Sequence, residues 1–381
     1  TQGPASLSFN EFNPIFNRNQ VAVQATGMVG NNDTFGNEAV FSGISDKLSY
    51  SAGYAYFDTD GWRDNADQQD TLINTFAQYE LSDKTSIQAE YRYRDNDRGD
   101  VQLRFFEDDF LPDLRQEDQT QSARLGFRHD FSPAATLIGN FAYQYADRDL
   151  DDLIFIDIGV PPPLEEFFSI SGDEEAYSGE LQHLFRSEYI NTVAGGGYFN
   201  IDFDRKFTDE VFDPFFVPPA LLFSATEKVK TDIDHYNVYL YSYVNILDNL
   251  TLTIGASGDF FDRDEKDRND RDIDENKFNP KFGINWTPLE GTTIRGSVFR
   301  TFKRTLITDQ TLEPTQVAGF NQFYDDINAT EAWVYGVGVD QKFSQNIYAG
   351  VEFTYRDLDV PYFQDVATPP AAPAFVLEEA S

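Results

Sequence analysis

Residues 236 to 260 read YNVYLYSYVNILDNLTLTIGASGDF, and their alternation decides the fold. Val238, Leu240, Val244 and Ile246 share one parity, while Asn237, Tyr239, Tyr241, Tyr243 and Asn245 share the other. Successive side chains of a strand point to opposite faces, so this segment has one apolar and one polar face. After Asp248-Asn249 the pattern resumes, with Leu250, Leu252, Ile254 and Ala256 against Thr251, Thr253, Gly255, Ser257 and Asp259. Two such runs around a two-residue break predict a β-hairpin.

The same pattern recurs outward from this hairpin. Strands are expected near residues 18–30, 37–45, 47–58, 69–82 and 85–95, then 120–132, 135–147, 174–186, 190–204, 230–247 and 250–262. Four more follow near 277–287, 291–303, 331–343 and 346–358, which makes fifteen. Short turns, such as Ser45-Asp46, Ser132-Pro133-Ala134 and Asp248-Asn249, alternate with long loops at 59–68, 96–119, 148–173, 205–229, 263–276 and 304–330. An up-and-down meander gathers all short turns at one end and all long loops at the other, as outer-membrane barrels do.

Composition agrees. The 381 residues include 20 Tyr, 36 Phe and 25 Gly beside one Met and no Cys, a mix that favours strands and turns. Lack of cysteine excludes disulfides, thiolate metal sites and thiol nucleophiles. A formal charge of −36 repels phosphate backbones, so nucleic acid is not an expected partner. No run of 18 apolar residues is present, which excludes a transmembrane helix but not transmembrane strands of about 9–11 residues.

The expected strands are longer than the five or six residues usual in a sandwich. Aromatic residues also cluster on the apolar parity near strand ends (Tyr54, Tyr56, Phe131, Tyr143, Tyr145, Trp286, Trp333, Tyr335, Phe343, Phe353, Tyr355), where a membrane interface would place them. The apolar face is therefore read as meeting outer-membrane lipid. The polar face gives the expected lumen-lining residues: Gln88, Glu90, Arg92, Arg94, Arg124, Arg128, Asn200, Asp202, Asp259, Lys281, Asn285, Arg295, Lys342, Glu352 and Arg356. Both signs of charge occur among them, which predicts ion pairs rather than a single-sign filter.

Enzyme chemistry has no constellation to stand on, and no cofactor or metal is expected. His129 and Asp130 are strand neighbours that point apart, and His183 and His235 have no metal-ligand spacing. Gly195-Gly196-Gly197 and Gly336-x-Gly338 fall within strands, where glycine marks a bend or a close approach of another backbone rather than a phosphate loop. Asp270, Asp272 and Asp274 imitate the start of a calcium loop, but Glu275 and Lys281 stand at its sixth and twelfth positions. The acidic runs at 262–275 and 147–152 are read as solvated loop tips.

At Phe278 to Arg304 the sequence FNPKFGINWTPLEGTTIRGSVFRTFKR resembles barrel segments of TonB-dependent receptors. Its Pro-Lys-hydrophobic-Gly strand, Trp-x-Pro turn and Arg-containing strand ending in Phe-Arg carry the resemblance. Gln310 to Phe323, QTLEPTQVAGFNQF, and Trp333 to Phe343 continue it. The resemblance implies an all-β, antiparallel barrel in the bacterial outer membrane. It also implies a plug inside that barrel, uptake of a scarce solute or chelate, and energy drawn from TonB.

Residues 1–17 are read as a lead-in with no room for a plug, and 18–381 as barrel. An odd strand count leaves an edge that lipid cannot satisfy, so the chain is expected to be a fragment lacking its C-terminal strands. Two other readings stay open from sequence alone. One is a plugless porin-like or export channel fused to another periplasmic domain; the other is a soluble all-β adhesin or binding module.

Overall fold

The computed structural model describes residues 19–103, 106, 109–157, 159, 161–216, 218–266, 272–304, 306–366 and 374–380. The lead-in 1–17 and the acidic tip 267–271, with Asp270, lie outside the described residues. Within them the chain is almost wholly β. The main sheet contains 16 antiparallel strands, and their order follows the sequence.

The first nine strands are β1 (Gln20–Val29), β2 (Phe35–Ser45), β3 (Leu48–Thr59), β4 (Gln68–Ser82), β5 (Thr85–Arg98), β6 (Arg115–Ser132), β7 (Ala135–Ile156), β8 (Leu164–Arg186) and β9 (Ile190–Asp213). Next come β10 (Ala220–Leu247), β11 (Leu250–Glu265), β12 (Ile273–Leu289) and β13 (Thr292–Phe302). A separate two-stranded hairpin, β14 (Gln316–Val317) and β15 (Phe320–Asn321), precedes β16 (Glu331–Lys342), β17 (Tyr348–Val366) and β18 (Ala374–Ala380). Among the described residues no pairing joins β1 to β18, so the strand order is linear.

All fifteen expected strands are present, and two expectations about what lies between and beyond them are corrected. A sixteenth strand, β18, pairs with β17 from Val360↔Ala380 to Val366↔Ala374. Its seven residues follow a Pro-Ala tract, and so short an apolar run reads as loop. The long loops at 148–173 and 205–229 are largely strand: β7 continues to Ile156, β8 begins at Leu164, β9 runs to Asp213 and β10 begins at Ala220. β10 has 28 residues, more than twice the roughly 9–11 that cross a bilayer. The extra length is a ribbon beyond the lipid, where both faces meet water and the sequence has no reason to alternate.

The chain divides into two compact units. The first comprises residues 1–125, 142–176 and 202–231; the second comprises 126–141, 177–201 and 232–381. The opening hairpin belongs to the second, and the facing read from it holds. Leu240 is 52% exposed and Ile254 49%, whereas Tyr241 is fully buried and Asn237 and Lys281 are each 1% exposed. A soluble protein hides its apolar side chains and wets its charges; here the order is reversed. The exposed large apolar side chains of β10, β11, β12, β16 and β17 form a surface that only lipid satisfies.

The edge of this surface is visible on single strands. On β11 the outward positions run from Leu250 to Phe260, and the next one is Asp262. On β10 they run from Ile246 back to Tyr236, and the next is Asp234; on β17 Tyr355 is followed by Asp357. Ten residue steps at the usual strand rise and tilt give about 25 Å, the height of a barrel's lipid-facing band.

Candidate functional site

Facing is set by strand parity, so the candidate site is built from the inward positions of each unit. In the first unit Asn74 Nδ2 donates to Glu90 Oε1 at 2.7 Å, and the Arg124 guanidinium pairs with Glu90. Gln88, Glu90 and Arg124 are all buried. Arg94 grips Asp70 with two hydrogen bonds, of 3.1 and 2.6 Å, in the fork geometry suited to carboxylates. Arg92 lies on the same parity as Glu90 and Arg94.

Towards the long-connection end of this unit the inner face holds a cavity of about 210 Å³. Arg98, Asp118, Arg148, Glu174, Phe203, Arg205 and Phe207 are among its lining residues. Arg98 donates to Gln116 at 2.9 Å and to Asp118 at 3.2 Å. Arg148 stands 3.6 Å from Glu174 and 3.9 Å from Asp118, with half of its side chain in solvent. The Arg205 guanidinium lies over the Phe203 ring at 4.8 Å. Such a wall offers a ligand both signs of charge and an aromatic face.

The second unit is more densely built. Asp259 on β11 accepts from His235 Nε2 at 3.0 Å, Asn279 at 2.7 Å and Arg304 at 3.4 Å. Arg304 also reaches Glu313 at 3.0 Å. Glu313 in turn accepts from Asn237 at 3.0 Å and from the Tyr241 hydroxyl at 2.7 Å. Glu180 on β8 accepts from Thr311 Oγ1 at 2.6 Å and from the Leu312 backbone N–H at 2.9 Å. Lys281 Nζ donates to the Arg300 carbonyl at 2.8 Å.

Arg304, Glu313 and Gln322 belong to the 304–330 connection, which the sequence places among the loops at the strand ends. It packs instead on the inner face of its own unit. Val317 and Phe320, from β14 and β15, join Tyr239, Tyr241, Phe299, Ala332 and Val334 in one buried cluster. The strands make room for it with glycine: a β-carbon on Gly283 would lie 2.8 Å from that of Ala318, and one on Gly336 would collide with the Phe320 ring. Gly336 is therefore a place of close approach.

The remaining expected residues are distributed as follows. Arg295 on β13 joins Asp340 at 2.7 Å and Glu352 at 3.1 Å, and Asn285 is its register partner. Arg356 pairs with Asp326 at 3.0 Å and lies over the Tyr324 ring at 3.9 Å. Arg128 contacts Asp130 near a short turn, and Lys342 lies over Tyr348 at another. Asn200 and Asp202 require correction, because they share the outward parity of Tyr198. Phe199 and Ile201 take the inward positions between, while Asn200, itself 7% exposed, is enclosed on the other face and bonds Asp232 at 3.0 Å just past the apolar band. The Gly195–Gly197 run hides the parity of β9 from a sequence reading, since glycine marks neither face.

His235, Asn237, Asn279, Glu180 and Gln182 are not among the expected lumen-lining residues, although all lie on the buried parity of their strands. Extending the parity rule to every polar residue would have found them. Among the described residues no group of three or more His, Asp or Glu is placed to hold a metal ion.

The family model described as TonB dependent receptor-like, beta-barrel matches residues 8–373. The chain belongs to this family. It is an outer-membrane β-barrel. No curated protein sequence matches it. Among solved structures, it is similar to the ferripyoverdine receptor of the outer membrane of Pseudomonas aeruginosa bound to ferripyoverdine (TM-score 0.70, 14% identity), covering 96% of this chain and 52% of that one. The FpvAI–pyocin S2 complex superposes with TM-score 0.71 at 13% identity, covering 96% of this chain and 54% of the other. The copper transporter OprC gives 0.68 at 12% identity, with 96% and 57% covered. The chain thus spans about half the length of these structures, and identities this low show the fold alone.

Proposed function

We propose that this barrel wall serves ligand-gated uptake, taking a metal chelate across the outer membrane with energy supplied through TonB and a plug domain. The observation that supports this reading is the first unit's inner-face cavity, where Arg98, Arg148 and Arg205 stand beside Phe203 and Phe207 in a chain of net charge −36. The same wall carries Asp118, Asp149, Asp173 and Glu174, so the cavity offers guanidiniums to a ligand's anionic groups and carboxylates to its cationic ones. At about 210 Å³ the cavity is smaller than the roughly 300–1,000 Å³ of a complete small-molecule site, so it would grip one arm of a chelate. The similar folds of a ferripyoverdine receptor and of the copper transporter OprC agree with that ligand class.

The experiment is uptake of radiolabelled ferric and cupric chelates by cells expressing the full-length protein, with and without TonB. Accumulation that requires TonB and falls at least tenfold in Arg148→Glu supports the proposal. Accumulation that ignores TonB identifies a passive channel instead. No accumulation of any chelate overturns the uptake reading.

A further inference from the structure

Beyond the lipid the four long strands β7 to β10 end on β10, which has 28 residues. On one side β10 is matched by β9 along the ribbon, where Asn200 bonds Asp232 at 3.0 Å and Ser224 bonds Glu210 at 3.2 Å. Its neighbour on the other side, β11, has 16 residues and ends at Glu265. Among the described residues β11 can therefore cover only the part of β10 nearest the Asp248-Asn249 turn, residues 232–247. Residues 220–231 are left as the outer edge of the ribbon, with alternate N–H and C=O groups turned away from β9. At the usual rise this edge is about 40 Å long.

Proteins blunt such edges with proline, with charge or by keeping them short, because an open ladder pairs with any strand that meets it. The first seven residues here, ALLFSAT from Ala220 to Thr226, hold neither charge nor proline. Leu221, Leu222 and Phe223 are each about half exposed, so apolar side chains reach water on both faces. Lys228 and Lys230 follow on the outward parity, and both are exposed. The register set by Asn200 and Asp232 places the Asp204 and Asp202 of β9 beside them. A strand that neighbours β10 thus matches these lysines with carboxylates, and the open edge offers the same match on its other side.

We propose that residues 220–231 are a docking edge that takes an extended segment of a soluble extracellular protein as an added antiparallel strand. That segment carries carboxylates on its outward face and apolar side chains beside Leu221 and Phe223. In β-augmentation the main-chain bonds supply the grip and the alternating side chains choose the partner. Antiparallel pairing is the stabler direction. A second copy of this chain does not fit. Two barrels in one membrane run their β10 strands the same way, and a two-fold axis along them sets donor against donor and acceptor against acceptor. The apolar band on β10 ends at Tyr236, so an occupant of 220–231 comes from water rather than from lipid. The inference uses the barrel and its ribbon alone and is independent of which solute is taken up.

A synthetic peptide copying residues 202–211, DFDRKFTDEV, is the probe, because it carries the β9 side chains that already neighbour β10. It is added to the full-length protein in detergent micelles, and amide hydrogen exchange is followed by mass spectrometry. Exchange at 220–231 is expected to slow at least tenfold as the peptide saturates. The same peptide with Lys206→Pro and Phe207→Pro cannot complete a ladder and should give no protection. Lys228→Gln with Lys230→Gln in the protein, checked for folding by heat-shifted migration, should weaken the peptide severalfold; undiminished affinity would overturn the carboxylate chemistry assigned to the partner. No slowing at 220–231 would overturn the docking edge, as would an edge already as protected as residues 202–213 before peptide is added. Protection by the proline peptide would show adhesion to Leu221 and Phe223 instead of strand pairing. Protection that grows with protein concentration in the absence of peptide would show that a second copy takes the edge, against the proposal.

Discussion

The ring of Phe320 occupies the space that a β-carbon on Gly336 would need, so the missing side chain of one residue is the seat of the other. Overpacking a filled site of this kind costs about 1–3 kcal/mol. Gly336→Ala is therefore expected to lower unfolding stability by that amount in a urea titration followed by tryptophan fluorescence. Gly338→Ala should cost less, because its β-carbon would meet the flexible Arg295 side chain at 3.2 Å and the Val351 carbonyl at an ordinary 3.6 Å. Combining Gly336→Ala with Phe320→Ala should recover part of the loss. If the two glycines respond alike, the seat is not specific.

Facing makes a second prediction. Leu240 stands near the middle of the outward run from Tyr236 to Ile246 on β10. A lysine at the bilayer midplane costs about 2–4 kcal/mol, falling to about 0–1 near an interface. Leu240→Lys should destabilise the barrel folded in phosphocholine liposomes by the larger amount and Tyr236→Lys by the smaller. Equal effects would place the band elsewhere.

The strand frame was readable because lipid on one side and polar groups on the other impose a period of two on every crossing. Tyr239, Tyr241 and Asp259 could be assigned to the inner face from parity alone. The rule fails where its physical cause stops. Beyond Asp262 and Asp234 there is no lipid, so the ribbon ends of β7 to β10 look like loops. At Gly195–Gly197 no side chain reports a face, and Asn200 and Asp202 were assigned to the wrong one. Arg304 reaches Asp259, 45 residues back, and Glu313 reaches Tyr241, 72 residues back, and no local pattern encodes such contacts. Gly336, which the sequence marks as a bend or a place of close approach, is the advance sign of the 304–330 packing.

The buried pair of Arg124 and Glu90 gives a third prediction. Both side chains are almost fully enclosed, and Asn74 donates a further bond to the carboxylate. Removing one partner takes the opposite charge away from a buried one, a change that typically costs about 3–5 kcal/mol. Arg124→Met should lose that much stability, and the double variant with Glu90→Gln should regain most of it. A double variant as unstable as the single one would mean that Arg124 acts through packing rather than charge.

The last prediction concerns pH. Asp262 and Asp274 are direct register partners on β11 and β12, just outside the apolar band. Like charges placed opposite each other repel across a sheet. Partial burial, with Asp274, Asp234, Asp264 and Asp272 nearby, pushes the Asp262 carboxyl up from its ordinary value. A raised carboxyl pKa means the folded state holds its proton longer than the unfolded state does. Its stabilising contribution is therefore complete below the ordinary carboxylate value and is lost as pH rises through the raised one. At neutral pH the two ionised groups loosen the ends of β11 and β12, and Asp262→Asn removes that repulsion. Amide protection factors at residues 260–265 and 272–276 should rise in Asp262→Asn at pH 7, and the difference from wild type should vanish below about pH 4, near the unperturbed aspartate value. A difference that persists in acid would trace to the side chain's shape, and a fall in protection at pH 7 would show that the carboxylate is held by a favourable partner.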